Sequence, residues 1–300
     1  MPEPVIHDVG MRDGLQVEKT IVPTERKIDW IDRLIASGVD VIQVGSFVNP
    51  AVVPQMADTD AICCHFASRR PERVRLSALV LNEKGLERGF AAGVDFFCMG
   101  VSASDTHSRK NTGMGTREAL SRILEMARRA ANAGATVQLS VQSAFGCGYD
   151  GAIPASRVVE IASRFLEEGF QVVSLADTAG HATPPRVAAL FEALMAVAPD
   201  AEYACHFHDT YGLAMANACA ALDAGVQSFE TAFGGLGGCP FTALAGGNLC
   251  TEDFVHMLQR QHLRTHVRLP DLIDLTRQAE AFFERTLPGV VHRTGPIPWL

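Results

Sequence analysis

The feature that most constrains the fold is a short apolar run followed by an amphipathic segment, repeated roughly every 30–40 residues, the size of a βα unit. Consecutive strands that are joined by helical crossovers must run parallel. Eight such runs favour a closed (β/α)8 TIM barrel, an α/β fold, over an open doubly wound sheet. The predicted strands are Val5–Asp8, Val39–Gly45, Val74–Val80, Phe96–Gly100, Thr136–Val141, Val172–Leu175, Tyr203–Phe207 and Ser228–Phe233.

The segments between these runs have helical patterns. Thr24–Ala36 and Thr116–Ala133 each place apolar residues on one stripe. Beyond the last strand, Leu272–Arg285 predicts an additional helix, which a Pro-rich tail follows. We therefore expect residues 1–300 to form a single TIM-barrel catalytic domain, with about the last 40 residues as a helical and Pro-rich C-terminal extension.

Amino-acid composition indicates which kinds of partner and which cellular compartment to expect. Hydrophobic residues make up 47% of the chain and charged residues 20%, and the formal net charge is -8. No basic cluster suits a phosphate backbone, and no apolar run has the length of a membrane span, so we expect neither nucleic acid nor membrane as partner. The eight cysteines form no CxxC pair. Together with an N-terminus that does not resemble a signal peptide, this indicates a reducing, cytoplasmic compartment.

Polar residues follow the apolar runs, where a TIM barrel carries its chemistry. His206 and His208 lie two residues apart on one strand, so both imidazoles point to the same face and can bind one divalent ion. Asp13 could add a carboxylate and Asn248 an amide oxygen. The alternative for the two histidines is a strand that carries two hydrogen-bonded imidazoles without a metal.

The other candidate catalytic residues are Arg12, Asp177 and Cys239. Arg12 could stabilise the negative charge of an enolate, although an Arg-Asp pair can also be a surface ion pair. The glycine-rich segment 234–248 is either a surface loop or a lid that brings Cys239 to the reacting centre as an acid or base. Asp177 could orient His206 or a water molecule, or cap a helix.

Several motifs together resemble the hydroxymethylglutaryl-CoA lyase family of metal-dependent TIM-barrel lyases, in order and over nearly the whole chain. The motifs that carry the resemblance are Arg12-Asp13-Gly14-Leu15-Gln16, Ser46-Phe47-Val48 with Val53-Pro54-Gln55-Met56, His206-Phe207-His208-Asp209-Thr210-Tyr211-Gly212, Gly235-Leu236-Gly237-Gly238-Cys239-Pro240 and Gly247-Asn248-Leu249.

The resemblance implies roles for these positions. Asp13, His206, His208 and Asn248 would be the ligands of Mg²⁺ or Mn²⁺. Arg12 would stabilise the enolate of the thioester product, Cys239 would be the catalytic cysteine of a mobile loop, and Asp177 would be an active-site carboxylate that assists proton transfer. In the reaction that we expect, His206 is the alternative to Asp177 as the base. Arg12, Gln43 and Ser46 would contact the substrate.

One position departs from the family pattern. The family usually carries a glutamate in the second strand where this chain has Gln43. Because an Arg–carboxylate pair is stronger than a neutral hydrogen bond, this change should alter how Arg12 is held. A changed substrate pocket is therefore an expectation of the sequence.

The resemblance implies cleavage of a 3-hydroxyacyl-CoA thioester, such as 3-hydroxy-3-methylglutaryl-CoA, to acetyl-CoA and a keto acid such as acetoacetate. Three alternatives stay open: a lyase for another 3-hydroxyacyl-CoA such as citramalyl-CoA, a condensing synthase of the isopropylmalate synthase type, and a non-catalytic metal-binding barrel. A homodimer is the default expectation for the assembly.

Overall fold

The computed structural model describes residues 3–238 and 246–298. Its centre is a closed barrel of eight parallel strands in the order β1 to β8, in which β8 pairs with β1. The predicted TIM barrel is therefore confirmed. The strands are β1 (Val5–Asp8), β2 (Val41–Ser46), β3 (Arg75–Leu79), β4 (Phe96–Ser102), β5 (Thr136–Gln142), β6 (Val172–Asp177), β7 (Glu202–Phe207) and β8 (Ser228–Thr231).

Helices cover the outside of the barrel. Three of the described helices follow β8, which confirms the expected helices at the C-terminal end. The α-helices are α1 (Thr24–Ser37), α2 (Thr59–Ala67), α3 (Glu83–Ala91), α4 (Asp105–Thr112), α5 (Thr116–Asn132), α6 (Ala155–Glu167), α7 (Pro184–Val197), α8 (Ala214–Asp223), α9 (Thr251–Gln259), α10 (Leu269–Phe283) and α11 (Val291–Thr294).

Amphipathic patterning explains how the helices pack on the barrel. In α5, the predicted stripe of Ala119, Ile123, Met126 and Ala130 is buried. Burying one large aliphatic side chain stabilises the fold by roughly 1.5–3 kcal/mol, so the stripe fixes the face that α5 turns inward. Across the described ranges 3–238 and 246–298, no helix is long and apolar enough to cross a membrane.

One departure from the predicted elements lies at the end of β8. The predicted strand extends to Phe233, but the observed strand ends at Thr231, and Phe233–Gly235 forms a 3-10 turn. The turn is possible because Gly234 adopts a φ of 65°, which an apolar pattern does not reveal. The turn leads to Leu236, which is buried and whose carbonyl oxygen accepts from Nδ2 of Asn248 at 2.8 Å.

Candidate metal centre

Arg12 and Asp13 lie in a short π-helical turn, Gly10–Gly14, that follows β1. The backbone amides of Arg12, Asp13 and Gly14 all donate to the carbonyl oxygen of Val9, at 3.0, 2.8 and 3.3 Å. Single π turns are frequent at functional sites because the widened turn re-aims its side chains. Here the turn leaves Asp13 buried at the carboxyl-terminal end of the barrel.

His206 and His208 lie at the end of β7, as the sequence predicts, with ring centroids 4.8 Å apart. Asn248 is 40 residues further along the chain, but its backbone forms an antiparallel bridge with His208. The backbone amide of Asp209 also donates to Gly247, at 2.7 Å. These two contacts bring the amide side chain of Asn248 next to the histidines.

Asp13, His206 and His208 form a buried cluster whose ligating atoms all lie within 4.8 Å of one another. Nε2 of His208 is 3.4 Å from the Asp13 carboxylate. Burial alone would raise the pKa of Asp13, but the guanidinium of Arg12 and the two histidines hold it well below its usual range. Burial opposes protonation of His208, yet the hydrogen bond and charge of Asp13 raise its pKa.

The fit of a divalent ion to this cluster can be tested on Asn248. Its Nδ2 donates to the carbonyl oxygen of Leu236 at 2.8 Å and to Asp13 at 3.0 Å, which fixes the orientation of the amide. Its Oδ1 is buried without a hydrogen-bond partner among the described residues. A buried amide oxygen without a donor costs free energy unless a cation or water satisfies it. The residues therefore fit a divalent cation, with one carboxylate, two imidazoles and one amide oxygen.

Glu230 is a member of the site that sequence reasoning missed. It is the register partner of His206 on β8, it is buried, and its Oε2 lies 3.0 Å from Nδ1 of His206. Burial opposes the charged form, but the close contact with His206 and its charge lower the pKa of Glu230 to about 2. One signal was available in the sequence: Glu230 is the only carboxylate in the predicted strand Ser228–Phe233.

Arg12 contacts both Gln43 and Asp13. Its Nε donates to Oε1 of Gln43, and its Nη1 forms an ion pair with Asp13. Gln43 is 1% exposed and precedes a register irregularity in the pairing of β2 with β3, which spans Gln43 to Gly45. The guanidinium thus has an anionic partner in the turn after β1 and a neutral partner in β2.

Asp177 and Ser46 are buried near the site, but neither is among the residues that line its cavity. The Asp177 carboxylate accepts from the backbone amides of His181 and Ala182, at 2.8 and 3.0 Å, which is a capping arrangement. The backbone carbonyl oxygen of Asp177 lies 3.1 Å from Nδ1 of His208. The carboxylate that approaches His206 is therefore Glu230 and not Asp177.

A cavity of about 520 Å³ opens above the cluster. Its wall contains Gln138 of β5 and Ser174 of β6, and α4 contributes Lys110. Nζ of Lys110 lies 4.8 Å from the ring centroid of Tyr149. Gly238 also lines the cavity. Cys239, the predicted catalytic cysteine, lies outside the described residues.

A parallel eight-stranded barrel with a carboxylate and two imidazoles at its carboxyl-terminal end defines a TIM-barrel protein that could hold a metal. The HMGL-like family model matches residues 3–278. The chain belongs to this family of lyases.

The chain is similar to several family members over most of its length. It is 38% identical to hydroxymethylglutaryl-CoA lyase YngG of Bacillus subtilis, covering 96% of this chain and 97% of the relative. It is 37% identical to (R)-citramalyl-CoA lyase of Chloroflexus aurantiacus, covering 97% and 95%. The structure of an HMG-CoA lyase from Acinetobacter baumannii in complex with coenzyme A and 3-methylmalate superposes with a TM-score of 0.93 at 33% identity, covering 99% and 97%.

Proposed function

We propose that the chain is a divalent-metal-dependent lyase that cleaves 3-hydroxy-3-methylglutaryl-CoA to acetyl-CoA and acetoacetate. The observation that carries the proposal is the buried cluster of Asp13, His206 and His208, with the guanidinium of Arg12 beside it in one cavity. The similarity to hydroxymethylglutaryl-CoA lyases over almost the whole chain supports the choice of substrate. We further propose that the chain acts as a single catalytic domain, as a homodimer, in the cytoplasm.

Asp13, His206, His208 and Asn248 would hold Mg²⁺ or Mn²⁺. A divalent cation in this position supplies Lewis acidity that lowers the pKa of a bound hydroxyl group. Carboxylate, imidazole and amide oxygen ligands suit both ions.

The remaining steps belong to side chains of this protein. Asp177, which lies behind the cavity, is the candidate for the base that removes the proton of the 3-hydroxyl, and His206, which lines the cavity, would assist this transfer as a ligand of the cation. The electron pair of that O–H bond then forms the C3 ketone as the C2–C3 bond breaks. The electrons of the broken bond pass to the thioester enolate, whose oxygen Arg12 stabilises by donating hydrogen bonds.

Cys239 would complete the reaction by giving a proton to C2, which releases acetyl-CoA. Gly238, which directly precedes this cysteine, lines the cavity. Gln43 and Ser46 would contribute to the substrate pocket, Gln43 through its contact with Arg12. Lys110, a second cation in the cavity wall, suits the negatively charged phosphates of a CoA thioester.

Citramalyl-CoA is the second candidate substrate, because the similar lyase of Chloroflexus aurantiacus is named for it and Gln43 leaves the charge of Arg12 less neutralised. Release of acetyl-CoA from both thioesters, measured with Mg²⁺ and with Mn²⁺, separates the two. The proposal expects the higher kcat/KM on 3-hydroxy-3-methylglutaryl-CoA. A higher kcat/KM on citramalyl-CoA would contradict the proposed substrate. Absence of turnover with both thioesters would contradict the proposed lyase activity.

A further inference from the structure

Glu230 is a buried carboxylate in the cavity wall that the proposed steps do not use. It is 6% exposed and lies inside the barrel on β8, next to His206 on β7. A carboxylate removed from water is costly unless charged or polar groups compensate it. The groups that surround the Glu230 carboxylate therefore indicate its role.

The two oxygen atoms of Glu230 have different neighbours. Oε1 accepts from Nε2 of Gln138 at 2.6 Å and from the hydroxyl of Ser174 at 3.2 Å. Oε2 lies 3.0 Å from Nδ1 of His206, at ion-pair distance although not aligned as a hydrogen bond. Side chains of β5 and β6 thus hold one oxygen and leave the other facing the imidazole.

His208 shows the same arrangement with a different acceptor. Its Nδ1 lies 3.1 Å from the carbonyl oxygen of Asp177, and its Nε2 is the atom that approaches Asp13. An imidazole that keeps its proton on Nδ1 has only Nε2 available for a cation. In both histidines, Nδ1 therefore faces an acceptor of the barrel wall.

We propose that Glu230 is a positioning residue that keeps the proton of His206 on Nδ1 and so makes Nε2 the atom that binds the metal. Gln138 and Ser174 hold the carboxylate in place for this task. The inference rests on the proposed function only in requiring a metal at this centre, and it is independent of which thioester is cleaved.

The test compares Glu230→Gln with Glu280→Gln. Glu280 provides a matched control, because its Oε1 lies 3.0 Å from Nε2 of His292 in a second glutamate–histidine pair, which lies at the C-terminal helices. Mn²⁺ affinity is measured by calorimetry on the metal-free full-length protein without substrate. Loss of a partner that orients a metal ligand typically weakens metal binding by about 10–100-fold. We expect this loss for Glu230→Gln and a change below about twofold for Glu280→Gln.

Two further readouts separate positioning from a general structural effect. Glu230→Asp retains the charge on a shorter side chain and should recover part of the affinity. Nitrogen-15 NMR of the imidazoles in the metal-free parent should show the His206 proton on Nδ1, and Glu230→Gln should lose this preference. This measurement needs no metal, so it tests the inference even if the parent binds none.

The outcomes are distinguishable. Parent-like Mn²⁺ affinity in Glu230→Gln, an equal loss in Glu280→Gln, or a His206 proton on Nε2 in the parent would each overturn the role of Glu230. Failure of the parent itself to bind Mn²⁺ would instead overturn the metal centre of the proposed function.

Discussion

Gly237 offers a way to displace one metal ligand without changing it. Its φ is 112°, and a Cβ atom added there would lie 2.3 Å from Nδ2 of Asn248. Ordinary contacts of a Cβ atom begin near 3.4 Å, so in Gly237→Ala the amide of Asn248 must move by about 1 Å. Asn248 would then lose its hydrogen bonds to Leu236 and Asp13.

The magnitude follows from these contacts. A Cβ atom at positive φ costs about 1–2 kcal/mol, and two hydrogen bonds contribute about 0.5–1.5 kcal/mol each. We therefore expect Gly237→Ala to lower the free energy of unfolding by about 2–5 kcal/mol. Because Asn248 Oδ1 moves with the amide, Mn²⁺ affinity should fall at least about tenfold, or about 1.4 kcal/mol.

Gly134→Ala is the matched control. Gly134 also has a positive φ, 83°, but nothing lies within 4 Å of an added Cβ atom. The control should show only the backbone cost, with unchanged Mn²⁺ affinity by calorimetry. Parent-like Mn²⁺ binding in Gly237→Ala, or an equal loss in Gly134→Ala, would refute the placement of Asn248 at the metal.

Three further predictions concern charge and proton transfer. Asp13→Asn should lower kcat/KM at least about 1000-fold, or about 4 kcal/mol, in steady-state assays with saturating Mn²⁺, and a value within tenfold of the parent would exclude Asp13 as a ligand. Cys239→Ala should abolish most turnover while calorimetric Mn²⁺ binding stays unchanged; turnover within a few-fold of the parent would contradict its role. Burial lowers the pKa of His7, whose Nε2 lies 2.9 Å from the Ser77 hydroxyl, to about 4 from an ordinary 6.5. The neutral form is thus favoured in the folded state, so this contribution to stability is present above pH 6.5 and is lost as the pH falls towards 4. Between pH 8 and pH 5, the free energy of unfolding of His7→Asn should fall by about 2 kcal/mol less than that of the parent, as measured by denaturant titrations at both pH values. Equal decreases in the two proteins would contradict the lowered pKa of His7.

Periodicity was sufficient to predict the barrel and the side of it that carries the site. Alternation along β7 placed His206 and His208 on one face, because residues two apart in a strand point the same way. Asp13 was placed near them because the active sites of TIM barrels lie at the carboxyl ends of the strands. Both inferences depend on local geometry, which the order of residues determines.

Other parts of the site depend on long-range pairing that a single sequence does not show. The bridge between Asn248 and His208 is one such contact, and the register of His206 opposite Glu230 is another. Helix α4 was also missed as an element, because Asp105–Thr112 is polar and short and has no apolar stripe. Its first turn is set by Ser104, whose hydroxyl accepts from the amide of His107 at 3.0 Å.

The central claim is that one divalent ion at Asp13, His206, His208 and Asn248 is required for carbon–carbon cleavage. The most direct test titrates Mn²⁺ into chelator-treated protein and measures acetyl-CoA release from 3-hydroxy-3-methylglutaryl-CoA. We expect no release without metal, then a linear rise that saturates at one Mn²⁺ per chain. Undiminished acetyl-CoA release from the metal-free protein would contradict the account.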